Sequence, residues 1–201
     1  VFLPENSSGP QTATLYVHEA GKEVDGQEFG LLEDLALKGR LVIAVDVRGI
    51  GRTRPGTPDA RGGGFGHLFN AETAMAYMAW YVNEELFGMR VLDVVRSVDY
   101  ALSRSDVRNN NLRVVGRGAG ALWALYAAAL DTRITEVVAE RGLLSYRSLA
   151  QVDRYLHGAH IFIRDVLLHF DLPQVAAAIA GRKLTLVSPT DPMMNPVDLA
   201  A

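Results

Sequence analysis

Hydrophobic residues along the chain fall into short runs that alternate with segments of helical spacing. Runs rich in β-branched residues predict five buried strands, at 13–18, 41–45, 112–115, 134–139 and 183–188. Segments with helical spacing, or rich in alanine and leucine, predict helices, among them 27–38, 70–104, 122–130 and 172–180. Strands that alternate with helices in this way are typical of a three-layer, doubly wound α/β fold with a mainly parallel sheet.

The chain of 201 residues, 49% of them hydrophobic, is long enough to bury a full core. We therefore expect a single domain over residues 1–201, with a helical segment, 144–181, that lies over the carboxyl ends of the strands. Segment 47–66 is rich in glycine, proline and arginine and is too long for a simple connection. Loops of this length after a strand are usually functional or mobile.

Composition narrows the partners that we expect. The net charge is −3 and charges of both signs are interspersed, which gives no reason to expect a nucleic-acid partner or an anionic membrane. The chain has no cysteine, which excludes disulfides, thiolate metal sites and cysteine nucleophiles. No apolar run reaches the roughly 18 residues that a membrane span needs. The chain begins Val-Phe-Leu-Pro rather than with methionine and a charged segment, so it shows no signal peptide, and we expect it to be a piece of a longer or processed chain.

The motif Gly116-Arg117-Gly118-Ala119-Gly120 forms a glycine-rich turn between a predicted strand and a predicted helix. Two chemistries use such a turn. A nucleophile elbow, G-x-S-x-G, exposes a catalytic hydroxyl above a helix N-terminus, and here Gly118 stands at the serine position. A dinucleotide fingerprint, G-x-G-x-x-G/A, lets bare backbone approach a pyrophosphate, and it is complete as Gly116, Gly118 and Ala121.

Binding of NAD or NADP is therefore one alternative. Glu140 ends the next predicted strand, 20 residues after Gly120, where a carboxylate would bind the ribose. Against this alternative, the unit is the third along the chain rather than the first. A third alternative is that residues 116–120 form only a close-packed structural turn that binds no ligand.

Five motifs in chain order resemble the α/β-hydrolase family, in particular its acetyl-xylan-esterase-like and dienelactone-hydrolase-like branch. They are His18-Glu19-Ala20-Gly21 at the oxyanion loop, the D-x-R-G-x-G turn at 46–51, the helix at 86–100, the elbow at 116–120 and Asp191 at the acid position. The resemblance implies that the strands, numbered along this chain, lie in the order 2-1-3-4-5. Its main cleft would open between strands 13–18 and 112–115, where the connections reverse direction.

The resemblance implies hydrolysis of carboxylic esters, a small ester or an acylated carbohydrate as partner, and no cofactor or metal. It also weakly favours export, whereas nothing else in the sequence indicates a compartment. The chain departs from the family at two catalytic positions. Gly118 has no side chain and cannot form an acyl-enzyme, and the family's catalytic histidine would follow a strand beyond Ala201. We therefore expect a weak or inactive hydrolase.

The backbone of the oxyanion site does not depend on the missing side chains. The N–H groups of Ala119, Ala20 and Gly21 are candidates to bind an anion or a carbonyl oxygen at a helix N-terminus. Asp191, at the acid position, has no mapped histidine to orient. Because prolines flank it, it can equally cap a turn.

Two further alternatives concern other side chains. Ser145 and Ser188 lie near strand ends, so either could replace the missing hydroxyl and give an active esterase. Three histidines suggest a metal set, but no acidic residue at matching spacing completes it. Surface or packing roles are therefore favoured for these residues, His157, His160 and His169.

Overall fold

A computed structural model describes residues 1–4, 9–55 and 70–198. Five strands form one parallel sheet in the order β2-β1-β3-β4-β5. Their bounds are β1 Gln11–His18, β2 Leu41–Val45, β3 Val107–Arg117, β4 Ile134–Glu140 and β5 Lys183–Val187. The predicted fold class and strand order are confirmed. Residues 56–66 of the predicted long loop lie outside the described residues.

Helices cover both faces of the sheet. They are α1 Leu31–Leu37, α2 Ala71–Tyr81, α3 Leu86–Ser103, α4 Ala119–Leu130, α5 Tyr146–Ala150 and α6 Leu172–Ala177. Helices α3 and α4 pack against one face, whereas α1 packs beside β2 over a smaller core on the other. Segment 144–181 holds α5, α6 and two 3-10 turns at 159–161 and 166–168. Among the described residues, no helix has the length and hydropathy to cross a membrane.

Helix α4 forms the centre of the larger core. Its residues from 119 to 128 are all buried, because β3, β4, α3 and α6 pack around it. A helix that is hydrophobic on every side is stable only in such surroundings. Trp123 is fully buried, and the Arg90 guanidinium lies 5.2 Å from the centre of its ring while pairing with Glu72. This packing fixes the N-terminus of α4 at the edge of the sheet.

The carboxyl ends of three neighbouring strands meet at one edge of the sheet. His18 at the end of β1 pairs with Arg117 at the end of β3, which in turn pairs with Glu140 at the end of β4. From β1 the sheet extends to β2 on one side and to β3 on the other. In sheets of this order, ligands bind in the crevice at that switch point.

Candidate functional site

The turn after β3 has the backbone geometry of a nucleophile elbow. Gly118 has φ 62° and ψ −129°, a combination that strains residues with a side chain. Its N–H donates to the carbonyl oxygen of Glu140 at 2.9 Å, and its own carbonyl accepts from the N–H of Ala121 at 3.0 Å. Residue 118 is thus held at the tip between strand and helix, where an elbow presents its nucleophile.

The two flanking glycines permit a very close approach of backbone segments. A Cβ on Gly116 would overlap the carbonyl oxygen of Gly120, and a Cβ on Gly120 would lie 2.6 Å from the carbonyl oxygen of Val17. Side chains are excluded at both positions for this reason. The first turn of α4 therefore packs directly on β1 and β3, which places the N–H of Ala119 beside the end of β1.

The Glu19 carboxylate lies where the side chain of a nucleophile would be. A Cβ on Gly118 would overlap the carboxyl group of Glu19, the residue that follows β1. The N–H of Ala119 donates to Glu19 Oε2 at 2.9 Å. In a nucleophile elbow this N–H, of the residue after the nucleophile, stabilises the oxyanion. The Glu19 carboxylate thus lies where a side chain at position 118 would be, and it accepts the hydrogen bond of the Ala119 N–H.

The predicted oxyanion loop folds back on itself. The N–H of Ala20 donates to Nδ1 of His18 at 2.9 Å, and the N–H of Gly21 donates to the His18 carbonyl oxygen at 3.1 Å. The N–H of the next residue, Lys22, donates a hydrogen bond to the Asp46 carboxylate at 2.8 Å, which holds the end of this turn in place. Both N–H groups are therefore directed at the chain's own atoms, and their oxyanion role stays a prediction that requires this turn to open.

A cleft of about 340 Å³ opens above Gly118, beside the end of β1. Leu122, Leu143 and Ile161 form part of its apolar surface. The polar side chains that line it come from strand ends and from the segment above them, and they are His18, Glu19, Arg117, Arg141, His157, His160 and Thr190. This is the position that the strand order predicts for the main cleft, and it brings together residues far apart in the sequence.

Two of the three histidines, His157 and His160, line this cleft. His157 Nε2 lies 3.1 Å from the carbonyl oxygen of Asp191. Burial lowers the pKa of His160, although the charges of Glu72 and Glu19 oppose the shift. His169 is exposed elsewhere. Within 1–4, 9–55 and 70–198, no group of three or more histidine or acidic residues is placed to hold a metal ion.

The Asp191 carboxylate stabilises its own turn. It accepts from the N–H groups of Met193 and Asn195, both at 2.8 Å, and from the Asn195 side chain at 3.1 Å. The Asn195 side chain and these backbone donors hold the pKa of Asp191 below its usual range. Its contact with His157 is made through the backbone carbonyl. The geometry matches a turn cap, and the role of catalytic acid stays a prediction.

An ionic network lies under the cleft. Arg117 pairs with Asp25 at 2.6 Å and with Glu140 at 2.9 Å, and the Tyr16 hydroxyl donates to Asp25. Burial, together with Asp25, raises the pKa of Tyr16. Burial also opposes ionisation of Asp25, but hydrogen bonds from Tyr16 and Arg117 outweigh it and lower that pKa. The carboxylate of Glu140, which the dinucleotide alternative assigns to a ribose, is thus paired with Arg117.

Neither candidate serine lines the cleft above Gly118. The Ser145 hydroxyl donates to the Asp171 carboxylate, which also accepts from the N–H of Leu172 at the start of α6. Ser188 lines a separate, shallow cavity beside Pro189 and Pro196. Both hydroxyls therefore lie away from the elbow.

Sequence reasoning missed the Glu19 carboxylate and the Thr190 hydroxyl. Glu19 follows β1 at the predicted switch point and Gly118 has no side chain, and both of these are visible in the sequence, whereas the approach of the two residues is not. Thr190 is buried and its Oγ1 atom has no hydrogen-bond partner among the described residues, as is also true of Nδ1 of His160. Nothing in the sequence marks Thr190 in this way.

No protein-family model matches the chain. It is 28% identical, over 204 residues, to the Bacillus subtilis protein named "Putative hydrolase YtaP", across 94% of this chain and 63% of that protein. A structure described as a "putative acetyl xylan esterase" from Bacteroides fragilis is similar with a TM-score of 0.78 and 18% identity, over 93% of this chain and 54% of that one.

Two further acetyl xylan esterases share the fold. The enzyme from Paenibacillus sp. R4 matches with a TM-score of 0.56 and 20% identity, over 98% of this chain and 63% of that one. Acetyl xylan esterase 1 from Thermoanaerobacterium matches with a TM-score of 0.57 and 21% identity, over 91% of this chain and 61% of that one. The chain thus spans less than two thirds of the length of these relatives.

Proposed function

The chain has the α/β-hydrolase fold of acetyl xylan esterases, and from this premise we propose that it is a weak or inactive ester hydrolase whose cleft binds a small carbohydrate or its ester. The ligand class is taken from the names of the structural neighbours. The observation that carries the proposal is the Glu19 carboxylate, which lies over Gly118 and accepts from the N–H of Ala119.

The loss of turnover follows from the chemistry of acyl transfer. An acyl-enzyme needs a nucleophilic side chain beside a general base, and Gly118 supplies none. In serine hydrolases, removal of the nucleophile alone lowers the rate by several orders of magnitude. The hydroxyls of Ser145 and Ser188 lie outside the cleft and do not replace it.

Retention of binding is supported by the cleft itself. Its volume of about 340 Å³ is large enough for a small ligand. The Thr190 hydroxyl and Nδ1 of His160 both belong to residues that line the cleft, and both lack hydrogen-bond partners among the described residues. Buried polar atoms in proteins are normally paired, so these two enclosed atoms would gain partners from a ligand that displaces the residues covering them.

Hydrolysis of p-nitrophenyl acetate by the purified chain tests the proposal. We expect the wild-type rate to stay within about tenfold of the rate in buffer, because the nucleophile is absent and Glu19 occupies the Ala119 N–H, a donor of the oxyanion hole that otherwise gives residual catalysis. Gly118→Ser restores a hydroxyl at the elbow, and Gly118→Ala is its matched control for backbone strain. Fast turnover by the wild type that Ser145→Ala or Ser188→Ala abolishes would contradict the proposal.

A further inference from the structure

We infer that Glu19 makes the cleft selective for ligands with free hydroxyl groups over ligands that present ester carbonyls. The inference rests on the proposed function, because it names the ligand class of the same cleft. It makes the preferred ligand the deacylated form of a carbohydrate rather than its ester.

The first step concerns the donor that an ester would need. A carbonyl oxygen accepts hydrogen bonds and donates none. The N–H of Ala119, at the N-terminus of α4, already donates to Glu19 Oε2 at 2.9 Å. A carbonyl oxygen brought to this N–H would have to displace the carboxylate, and beside it would meet a negative charge. Glu19 therefore opposes the binding mode that ester hydrolysis uses.

The second step concerns what Glu19 offers instead. Its side chain is exposed and lines the cleft, so a ligand can reach it. A carboxylate has about four lone-pair sites, and among the described residues Glu19 accepts one hydrogen bond, at Oε2. Oε1 is thus left to accept from a ligand. Hydrogen bonds from a hydroxyl to a carboxylate are short and stronger than those between neutral groups.

The third step concerns two other polar groups in the cleft. Thr190 is only 2% exposed, and its Oγ1 atom lacks a partner among the described residues, as does Nδ1 of His160. A threonine hydroxyl both donates and accepts, and an imidazole nitrogen does either, depending on its tautomer. Hydroxyl groups of a ligand also do both. Both atoms are enclosed in the free protein, so a ligand hydroxyl pairs with them only when the residues that cover them shift, and the exposed Glu19 carboxylate is the acceptor on which the inference depends.

Two cations, Arg117 and Arg141, also line the cleft, and Nε of Arg117 is a buried donor without a hydrogen-bond partner among the described residues. Arg117 is paired with Asp25 and Glu140 beneath the cleft. The side chain of Arg141 is exposed and lines the cleft. A test with neutral ligands removes any bias from attraction of an anion to Arg141.

The test compares methyl β-D-xylopyranoside with its tri-O-acetyl derivative, which has the same ring but no hydroxyl donor. Binding of each to the 201-residue chain is followed by NMR titration. We expect the free glycoside to bind the wild type about tenfold more tightly, the factor that one charge-assisted hydrogen bond supplies. Glu19→Gln keeps an acceptor for the Ala119 N–H but presents an amide donor to the ligand. It should abolish or reverse the preference.

Glu23→Gln is the matched control, because it removes the same charge from an exposed residue that pairs with Arg52 outside the cleft. It should leave the preference unchanged. Glu19→Ala provides a second variant, which should reduce the preference by removing the carboxylate altogether. The inference is overturned if the wild type binds the acetylated probe equally well, if neither probe binds, or if Glu19→Gln keeps the wild-type ratio. Release of acetate by the wild type would instead contradict the proposed function, and it appears as a separate methyl resonance.

Discussion

The overlap between a side chain at position 118 and the Glu19 carboxylate predicts a measurable coupling between the two residues. Gly118→Ala places a methyl group in the space of the Glu19 carboxyl and forces a strained backbone conformation. The strain costs about 1–3 kcal/mol, and expulsion of Glu19 from the Ala119 N–H adds about 1 kcal/mol. Glu19→Ala alone loses only that hydrogen bond, about 1 kcal/mol.

In the double variant the hydrogen bond is lost once rather than twice. Its destabilisation should therefore be smaller than the sum of the two single effects by about 1 kcal/mol. Urea unfolding of the wild type, both single variants and the double variant gives the four free energies of unfolding that the cycle requires. Additive effects, equal within about 0.5 kcal/mol, would refute the placement of the Glu19 carboxylate over Gly118.

Three further predictions concern the elbow, the cleft and the network beneath it. Gly116→Ala should destabilise the fold by about 3 kcal/mol or more, because its methyl group would overlap backbone atoms. Its control, Gly88→Ala, lies inside α3 without a close contact and should stabilise the fold by about 0.5–1 kcal/mol. Equal free energies of unfolding for the two variants would contradict the close approach at the elbow. The pKa of His160, measured by NMR titration, should lie below the value of about 6.5 of a free histidine, because burial disfavours its charged form. A normal or raised pKa would show that the ring is not buried in the cleft. The lowered pKa of Asp25 means that its ionised form stabilises the fold above about pH 3.9. The free energy of unfolding lost in Asp25→Asn should therefore be largest near pH 7 and should shrink as acid protonates the wild-type carboxyl. A difference in unfolding free energy that does not change with pH would argue against the ionic network.

The sheet could be predicted from the sequence because burial on both faces leaves a strong pattern. Strand β2, Leu41–Val45, is a continuous apolar run and was predicted with its observed bounds. Strand β3 begins at Val107 rather than at 112, since polar residues 108–111 gave no sign of a buried strand. In the structure Val107 pairs with Gln11 and Leu112 pairs with Ala13, so residues 108–111 lie at an irregularity between two paired positions of the β1–β3 ladder.

The site was predictable only in its backbone. Three glycines at alternate positions specified an elbow-like turn, and Gly118 has the expected conformation. The position of the Glu19 carboxylate depends on the approach of two segments 100 residues apart, which no local pattern encodes. The same holds for His157 and His160, which line the cleft together with strand-end residues far from them in the sequence.

Intact-protein mass spectrometry after treatment with a fluorophosphonate tests most directly whether the elbow has lost its nucleophile. Such a reagent forms a stable covalent adduct with an activated serine. We predict that the mass of the wild-type chain does not change under conditions that fully label an active serine esterase. A stoichiometric adduct, located by peptide mapping to Ser145, Ser188 or any other serine of the chain, would contradict the account.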